Sequence, residues 1–552
     1  MRATEQRSIV VGMSRRLAAM AVPVTAAPAS PAPPSRPLVA RAIAAAALAA
    51  ACSSTPGPTV TGPGPAATYV PQPVFCAGAT PTGSPLCAII PGNIGPDPAL
   101  NQTVAYNGIN GQLPTSAQTD VQTPFDNLSW QTFVALNWTA GKQSEPALSG
   151  LRSAGPRVWE TYPRVNTLFG NAPVRGNCPV GPTTRVFEIG SDGQGNPDGH
   201  NEEYIQAATG APLIDVGGNW TIYERRVNGV EQAFLRAPGG KPAQTLTTIA
   251  GQNAFVAAGN RVAFPAMTTA GTTGAIEIKA AWRVLDPKDH AANALRFYVV
   301  DAMLTVAPDL VNPPGRPICA AVELGLVAMH IIQRNPDAHN ALKPEWFWST
   351  FEHVDNAPLA AQACPANEPF NCPLLGQVAC PTTPPAGPYS YFDLACPSCT
   401  TNQAPQSASG VFTWNPAPPY AKAYLTAGRF GTQVSRCWQV YALTSALNDR
   451  WRKELRAVSS VFQNYFLVGT QWGASTTNTP DPKVPNNGVP AFLSNSVVET
   501  YLQTLNDPKN PFGTGSCVGC HLAATLAVSN ATADLSFLPG LAQPTVLRRP
   551  HR

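Results

Sequence analysis

Apolar residues recur at helical spacing from Phe125 through Leu128, Phe133 and Leu136 to Trp138, which predicts an amphipathic helix over 125–138. Val158 to Tyr162 forms a short apolar–polar segment. From about residue 183 the period shortens towards two, and strands are expected at 186–189, 220–227, 276–284, 295–306, 319–332 and 346–353. Asn228-Gly229, between the runs 220–227 and 230–235, is the signature of a tight hairpin turn. Closely spaced strands without long helices between them favour an antiparallel sheet or barrel-like core. From Thr432 to about Gly469 the apolar spacing turns helical again, through Val434, Trp438, Leu447, Trp451, Leu455 and Phe462, with Gly469 and Gly473 as stops. A second helix is expected over 491–505, after Pro490. The fold class is therefore α+β: an antiparallel β-rich central core, flanking helices and a helical C-terminal segment.

Only 12 % of the 552 residues are charged, about half the ~25 % of an ordinary soluble domain. Glycine (44) and proline (59) make up nearly a fifth of the chain, and hydrophobic residues 44 %. That apolar share excludes disorder throughout. A net charge of +4 with no long basic run leaves no footprint for nucleic acid. Few charges among many Pro, Gly, Thr, Asn and Ala suit a loop-rich exported protein.

The N-terminal region fits that destination. Arg41 precedes an apolar run from Ala42 to Ala51, and the run meets Cys52. Positive region, apolar region and small residues at the cut are the order of a secretory signal. About ten apolar residues are too few for a ~20-residue membrane span. Leu48-Ala49-Ala50-Ala51-Cys52 resembles a lipoprotein signal, so Cys52 is a candidate lipid tether, with simple cleavage as the alternative. The expected organisation is a signal over 1–52, a Pro/Gly-rich linker and wrapping segment over 53–120, and one domain over 121–552. That domain carries a Cys/Pro-rich loop insertion at 357–420. The expected location is the periplasm, with anchorage to the outer membrane if Cys52 is lipidated.

Thirteen cysteines bear on the compartment. Setting aside Cys52, Cys517 and Cys520 leaves ten, enough for up to five disulfides in an oxidising environment. Cys76 and Cys87 flank a short loop and are expected to pair. Cys396-Pro-Ser-Cys399 reads as a structural disulfide, with half a zinc site or a redox pair as alternatives.

The chemistry-bearing motif is Cys517-Val518-Gly519-Cys520-His521. Two thiols at this spacing can each add across one haem vinyl group, which places the next histidine under the iron. With 13 Cys and 7 His a chance match is expected roughly 0.004 times. One covalent haem c is therefore expected, with Cys517 and Cys520 as attachment points and His521 as proximal iron ligand. Only 31 residues follow His521 and every methionine precedes it, so no downstream axial methionine exists. The distal side must be built by the preceding chain or left open. His353, in an apolar run with Glu352 and Asp355 beside it, is the first candidate, either as iron ligand or, with both carboxylates, in proton handling. His330 in the run 326–332 is the second candidate ligand, with Met329 as a competitor. His200, His290 and His339 lie in polar stretches and His551 in the tail.

With these residues in hand, the chain resembles bacterial exported cytochrome c family proteins with a single C-terminal CxxCH haem motif. The resembling stretches are Ser129 to Trp138, Lys279-Ala280-Ala281-Trp282, Thr350 to Asn356, Gly469-Thr470-Gln471-Trp472, and Ser516 to His521 with Asp534 to Leu538 after it. The resemblance implies haem binding and export and names no substrate. A weaker architectural likeness, to cytochromes whose haem is cross-linked to a lysine, implies a place for Lys279. The leading expectation is electron transfer with a periplasmic redox partner. The alternatives are a haem oxidase or peroxidase acting on a small molecule, and a gas or ligand sensor.

Overall fold

The computed structural model describes residues 86–91, 122–170, 178–179, 185–190, 204–206, 211–267, 273–335, 345–364, 387–407, 412–421, 431–473, 488–490, 493–503 and 515–544. All fall within one of the chain's two units, Pro65–Arg552. The expected signal, the candidate tether Cys52, Cys76, His200, His339 and His551 lie outside the described residues.

Ten strands are described: β1 (Val186–Ile189), β2 (Ile222–Val227), β3 (Ile276–Leu285), β4 (Val299–Val306), β5 (Ile318–Asn335), β6 (Glu345–His353), β7 (Leu359–Cys364), β8 (Arg436–Trp438), β9 (Tyr465–Gly473) and β10 (Gly488–Val489). The helices are α1 (Gln122–Leu136), α2 (Ala147–Arg152), α3 (Val165–Phe169), α4 (Gly229–Arg236), α5 (Ile249–Ala257), α6 (His290–Arg296), α7 (Ala442–Ala457) and α8 (Cys517–His521), with short 3-10 turns between. The fold is α+β, with a mixed, mostly antiparallel sheet.

The sheet is organised by β5. Its 18 residues are buried without interruption from Val322 to Ile331, which is why they read as a continuous apolar run rather than an alternation. β3 lies antiparallel along one edge of β5, from Glu323 to Gln333. The other edge is shared end to end by β4, opposite Ile318 to Gly325, and β6, opposite Ala328 to Asn335. β2 extends the sheet beyond β3, and β9 and β10 extend it beyond β6. β1 adds the one parallel pairing of this sheet, against β4.

α1 packs on one face of this sheet and is buried nearly all round, so it is an interior helix rather than an amphipathic surface one. Phe133 stacks on Phe351 at 4.1 Å and Phe125 on Trp472 at 3.8 Å. Several of its polar side chains bond inside: the Ser129 hydroxyl is 2.6 Å from both the Ser349 and Thr470 hydroxyls. The Trp130 indole donates to Asn448 of α7 at 2.8 Å.

The structure corrects four expected elements. Asn228-Gly229 is not a hairpin turn. Asn228 caps α4, its side-chain oxygen accepting from the Glu231 amide, and β2 finds its partner in β3 instead. The strand expected at 295–306 begins only at Val299, after α6. The long helix expected over 432–469 is broken into β8, α7 and β9. Ser459 leaves α7 at φ 50°, and the Ser460 hydroxyl then caps a 3-10 turn leading into β9. Thr500–Leu502 is a 3-10 turn within the segment expected to form a second helix.

Two disulfides are described, Cys178–Cys319 and Cys396–Cys399. Cys87 is also disulfide-bonded. Cys437 is a buried free thiol, so the ten structural cysteines do not all pair. No helix among the described residues is long and apolar enough to cross a membrane.

Candidate functional site

The sheet face opposite α1 carries the CxxCH segment. Ser516 caps the one-turn helix α8, its hydroxyl accepting from the Gly519 amide at 3.1 Å. Gln471 of β9 fastens that turn to the sheet. Its carbonyl oxygen accepts from the Val518 amide at 2.9 Å, and its amide nitrogen donates to Ser516 Oγ at 3.0 Å and the Pro490 carbonyl at 2.6 Å. A conformationally costly single turn is thereby held by a side chain from a buried strand.

Cys517, Cys520 and His521 open on a largely apolar cavity of about 1000 Å³, its mouth included. The strand register explains its floor. Val227, Glu277, Ile332, Trp348 and Gln471 form one row across β2, β3, β5, β6 and β9. Arg225, Lys279 and His330 form the next row. Glu277, Ile332, Trp348, Arg225, Lys279 and His330 all line the cavity. Alternate residues of the same strands, such as Phe347, Phe351 and Met329, point towards α1.

The imidazole of His521 is oriented by backbone. Its Nδ1 lies 2.6 Å from the Leu535 carbonyl oxygen. A carbonyl only accepts, so Nδ1 carries the proton and Nε2 keeps its lone pair. Burial lowers the pKa of His521 to about 4, so the ring is neutral at neutral pH. Asp534 and Leu535 adopt φ 51° and 66°, the left-handed region that non-glycine residues enter at a cost of about 1–2 kcal/mol each. Contacts to Asp534 hold this turn: its carboxylate accepts from the Phe264 amide at 2.9 Å and pairs with Arg334 at 3.2 Å, and its carbonyl accepts from Trp346 Nε1 at 2.7 Å. Trp348 and Phe537 flank the ring, at 5.6 and 4.9 Å between centroids.

Cys517 and Cys520 are both free thiols. Burial raises both pKa values, so they stay protonated. Cys396 and Cys399, at the same spacing, are joined.

His330 faces the cavity from β5. Its Nε2 lies 2.8 Å from Glu499 Oε1, and its Nδ1 is buried with no hydrogen-bond partner. The other Glu499 oxygen accepts from the Asn495 amide at 2.9 Å. Coulombic attraction to His330 opposes the burial that would raise the Glu499 pKa, and the net shift is downward. Trp348 Nε1 is a second buried polar atom without a partner at the cavity wall.

The structure separates the sequence-predicted residues. His521, Cys517, Cys520, His330 and Lys279 are brought together. His353, Glu352 and Asp355 are not among the residues lining the cavity. His353 lies at the far end of β6, its Nε2 donating to the Arg296 carbonyl at 2.7 Å and its Nδ1 accepting from the Asp355 amide at 3.1 Å. Its ring stacks on Phe297 at 4.2 Å. Both nitrogens are engaged, so His353 has no lone pair for a ligand here. Glu352 pairs with buried Arg436 and Ser496, and Asp355 pairs with Arg296. Met329 lies on the α1 side, its sulfur 4.0 Å from Asn137 Nδ2. His290 is exposed on α6 and bonds Glu323. Glu499, Glu277, Trp348 and Gln471 were missed as site residues. A glutamate inside the apolar stretch Val497-Val498-Glu499 was the available signal.

The donor set fits a covalently held haem. Two free thiols, one neutral imidazole with an open Nε2 and unpartnered polar atoms meet at one apolar cavity. No group of three or more His, Cys, Asp and Glu side chains gathers for a bare metal ion among the described residues. Comparison with protein-family models, with curated proteins and with solved structures finds no match.

Proposed function

We propose that this chain is an exported mono-haem c protein that works in periplasmic electron transfer. Cys517 and Cys520 would hold the haem by thioether bonds, and His521 would bind the iron through Nε2. The observation that carries the reading is the hydrogen bond from His521 Nδ1 to the Leu535 carbonyl, which fixes the tautomer and turns Nε2 free. When bound, the haem supplies a one-electron couple between ferric and ferrous iron. The chain's own residues do the rest. Leu535 raises the basicity of the imidazole, Gln471 and Ser516 fix the attachment helix, and the apolar wall formed by Val165, Ile332, Leu493 and Leu538 excludes water. The electron donor or acceptor is a redox protein or small molecule outside the cytoplasm, and a lipid tether at Cys52 would hold the chain to the membrane.

One observation favours a second reading, a haem oxidoreductase acting on a small molecule. The outer nitrogen of His330, the one that ordinarily reaches a metal, is occupied by Glu499, while Nδ1 is left without a partner. An imidazole whose Nε2 is tied to Glu499 serves as a hydrogen-bonding group at the cavity wall rather than filling a coordination position.

Expression in a periplasm with haem-maturation machinery tests both. The wild type should give a haem-stained band after denaturation, and the Cys517→Ala/Cys520→Ala variant none. A wild type without covalent haem, or a fully stained double variant, overturns the first reading. A reduced protein that stays low-spin and does not take up carbon monoxide overturns the second.

A further inference from the structure

Beside the His521 turn, two carboxyl groups meet inside the protein. Glu277 comes from β3 and lines the cavity, and Glu231 comes from the first turn of α4 behind it. Asn228 brings them together. Its side-chain oxygen accepts from the Glu231 amide at 3.0 Å and from the Ile276 amide at 3.3 Å, locking the start of α4 onto the start of β3. Its amide nitrogen donates to the Gly274 carbonyl at 2.6 Å. Glu231 is fully buried and Glu277 is 9 % exposed. Both oxygens of Glu231 and one of Glu277 find no donor among the other described residues. Two buried carboxylates side by side cannot both carry charge, because burial costs each several kcal/mol and each repels the other.

The surroundings favour a retained proton. Glu231 is raised well above the carboxylate range by burial and by Glu277, and Asp534 adds further repulsion. Glu277 is raised by burial and by Asp534, and is held down partly by Ser536, Glu231 and Arg225. The charged groups facing the pair are thus Arg225 from β2 and Asp534 from the turn that orients His521, the latter already tied to Arg334.

We propose that Glu231 and Glu277 are a proton-sharing pair that opens on the cavity through Glu277 and takes up a proton when the cavity's redox centre gains an electron. The inference rests on the haem reading above. An electron from the redox partner adds one negative charge to the cavity. A proton from solvent forms one O–H bond on the pair's free carboxylate oxygen and cancels that charge, and no other bond changes. Ser536, two residues from Asp534, links the pair to the segment that holds the proximal imidazole.

Potentiometric titration of the haem-loaded protein across a pH series tests this. The wild-type midpoint potential should fall as pH rises above the ordinary carboxylate range. Glu277→Gln and Glu231→Gln should lose that slope, whereas Asp286→Asn, at an exposed turn, should keep it. Equal slopes in the wild type and both folded glutamine variants would overturn the proposal. Should either variant fail to fold, infrared spectroscopy of the wild type decides. A protonated-carboxyl band at neutral pH that shifts in heavy water is required, and its absence also overturns the proposal. Missing haem stain would instead count against the haem reading, and the infrared band tests the pair without it.

Discussion

The Nδ1 of His521 lies 2.6 Å from the carbonyl oxygen of Leu535, fourteen residues later, and that carbonyl is presented by two consecutive left-handed residues. The turn exists because Asp534 is bonded three ways, to Phe264, Arg334 and Trp346. The chain spends local backbone strain to aim one acceptor at one imidazole.

On the proposed haem reading, Asp534→Ala should loosen the proximal side without removing the ligand. The buried Phe264 amide loses its acceptor and Arg334 one of its partners, a loss of about 1–3 kcal/mol. Denaturant midpoints should fall accordingly. Covalent haem should persist because Cys517 and Cys520 are untouched, while the absorption bands of the haem protein shift as His521 loses its fixed orientation. An unchanged spectrum would show that the Leu535 carbonyl is held by other means.

Much of the sheet was legible in the sequence, and the reasons are local. The run from Cys319 to Ile332 is long and apolar because β5 is covered on both faces over most of it, from Val322 to Ile331. The CxxCH motif is local by nature. What was not legible depends on register. His330 and His353 both sit in apolar runs, and only the pairing of β5 with β3 and β6 decides which faces the cavity. Asn228-Gly229 carries the same letters whether it turns a hairpin or caps α4. The segment 461–469 has apolar residues at spacings that suit a helix, but Phe462, Tyr465 and Leu467 are buried as turn and strand residues. The Asp534 turn leaves no sequence signal, because nothing in Asp-Leu favours positive φ at leucine.

His330 and His353 should behave oppositely on substitution. His330→Ala removes the imidazole at the cavity wall and leaves Glu499 without its partner, so carbon monoxide affinity of the reduced protein should change roughly fivefold, the equivalent of about one hydrogen bond. Glu499→Gln should give a smaller change in the same direction. His353→Phe should leave ligand binding as it is, since His353 is engaged with Arg296 and Asp355 away from the cavity. A ligand-binding change in His353→Phe alone would reverse this assignment.

His353 should instead appear in the pH dependence of stability. Burial lowers its pKa to about 4, against the pull of the Arg296 carbonyl and Asp355. The folded state binds the proton less readily than the unfolded chain, whose histidine titrates near ~6.5. Stability from this group is fully present above about pH 6.5 and is lost as pH falls towards 4, with a size of order 1–3 kcal/mol. His353→Phe should flatten the urea-midpoint profile between those values. A profile with the wild-type slope would assign the loss to other groups, His521 first among them.

Glu352 supplies the sharpest test of a structural against a catalytic role. Its carboxylate is fully buried, paired with Arg436, and accepts from the Ser496 amide and hydroxyl at 2.6 Å each. Glu352→Ala leaves the Arg436 guanidinium buried without a counter-charge and strips two donors of their acceptor. A loss of about 3–5 kcal/mol is expected from the uncompensated charge alone. Glu352→Leu combined with Arg436→Met removes both charges together and should recover most of that loss, because apolar pairs of similar volume often replace a buried ion pair at little cost. Urea midpoints of the three proteins give the comparison. Haem stain and carbon monoxide affinity should match the wild type in the double variant, since neither side chain borders the cavity. A stable double variant with altered ligand affinity would return Glu352 to the chemistry of the site.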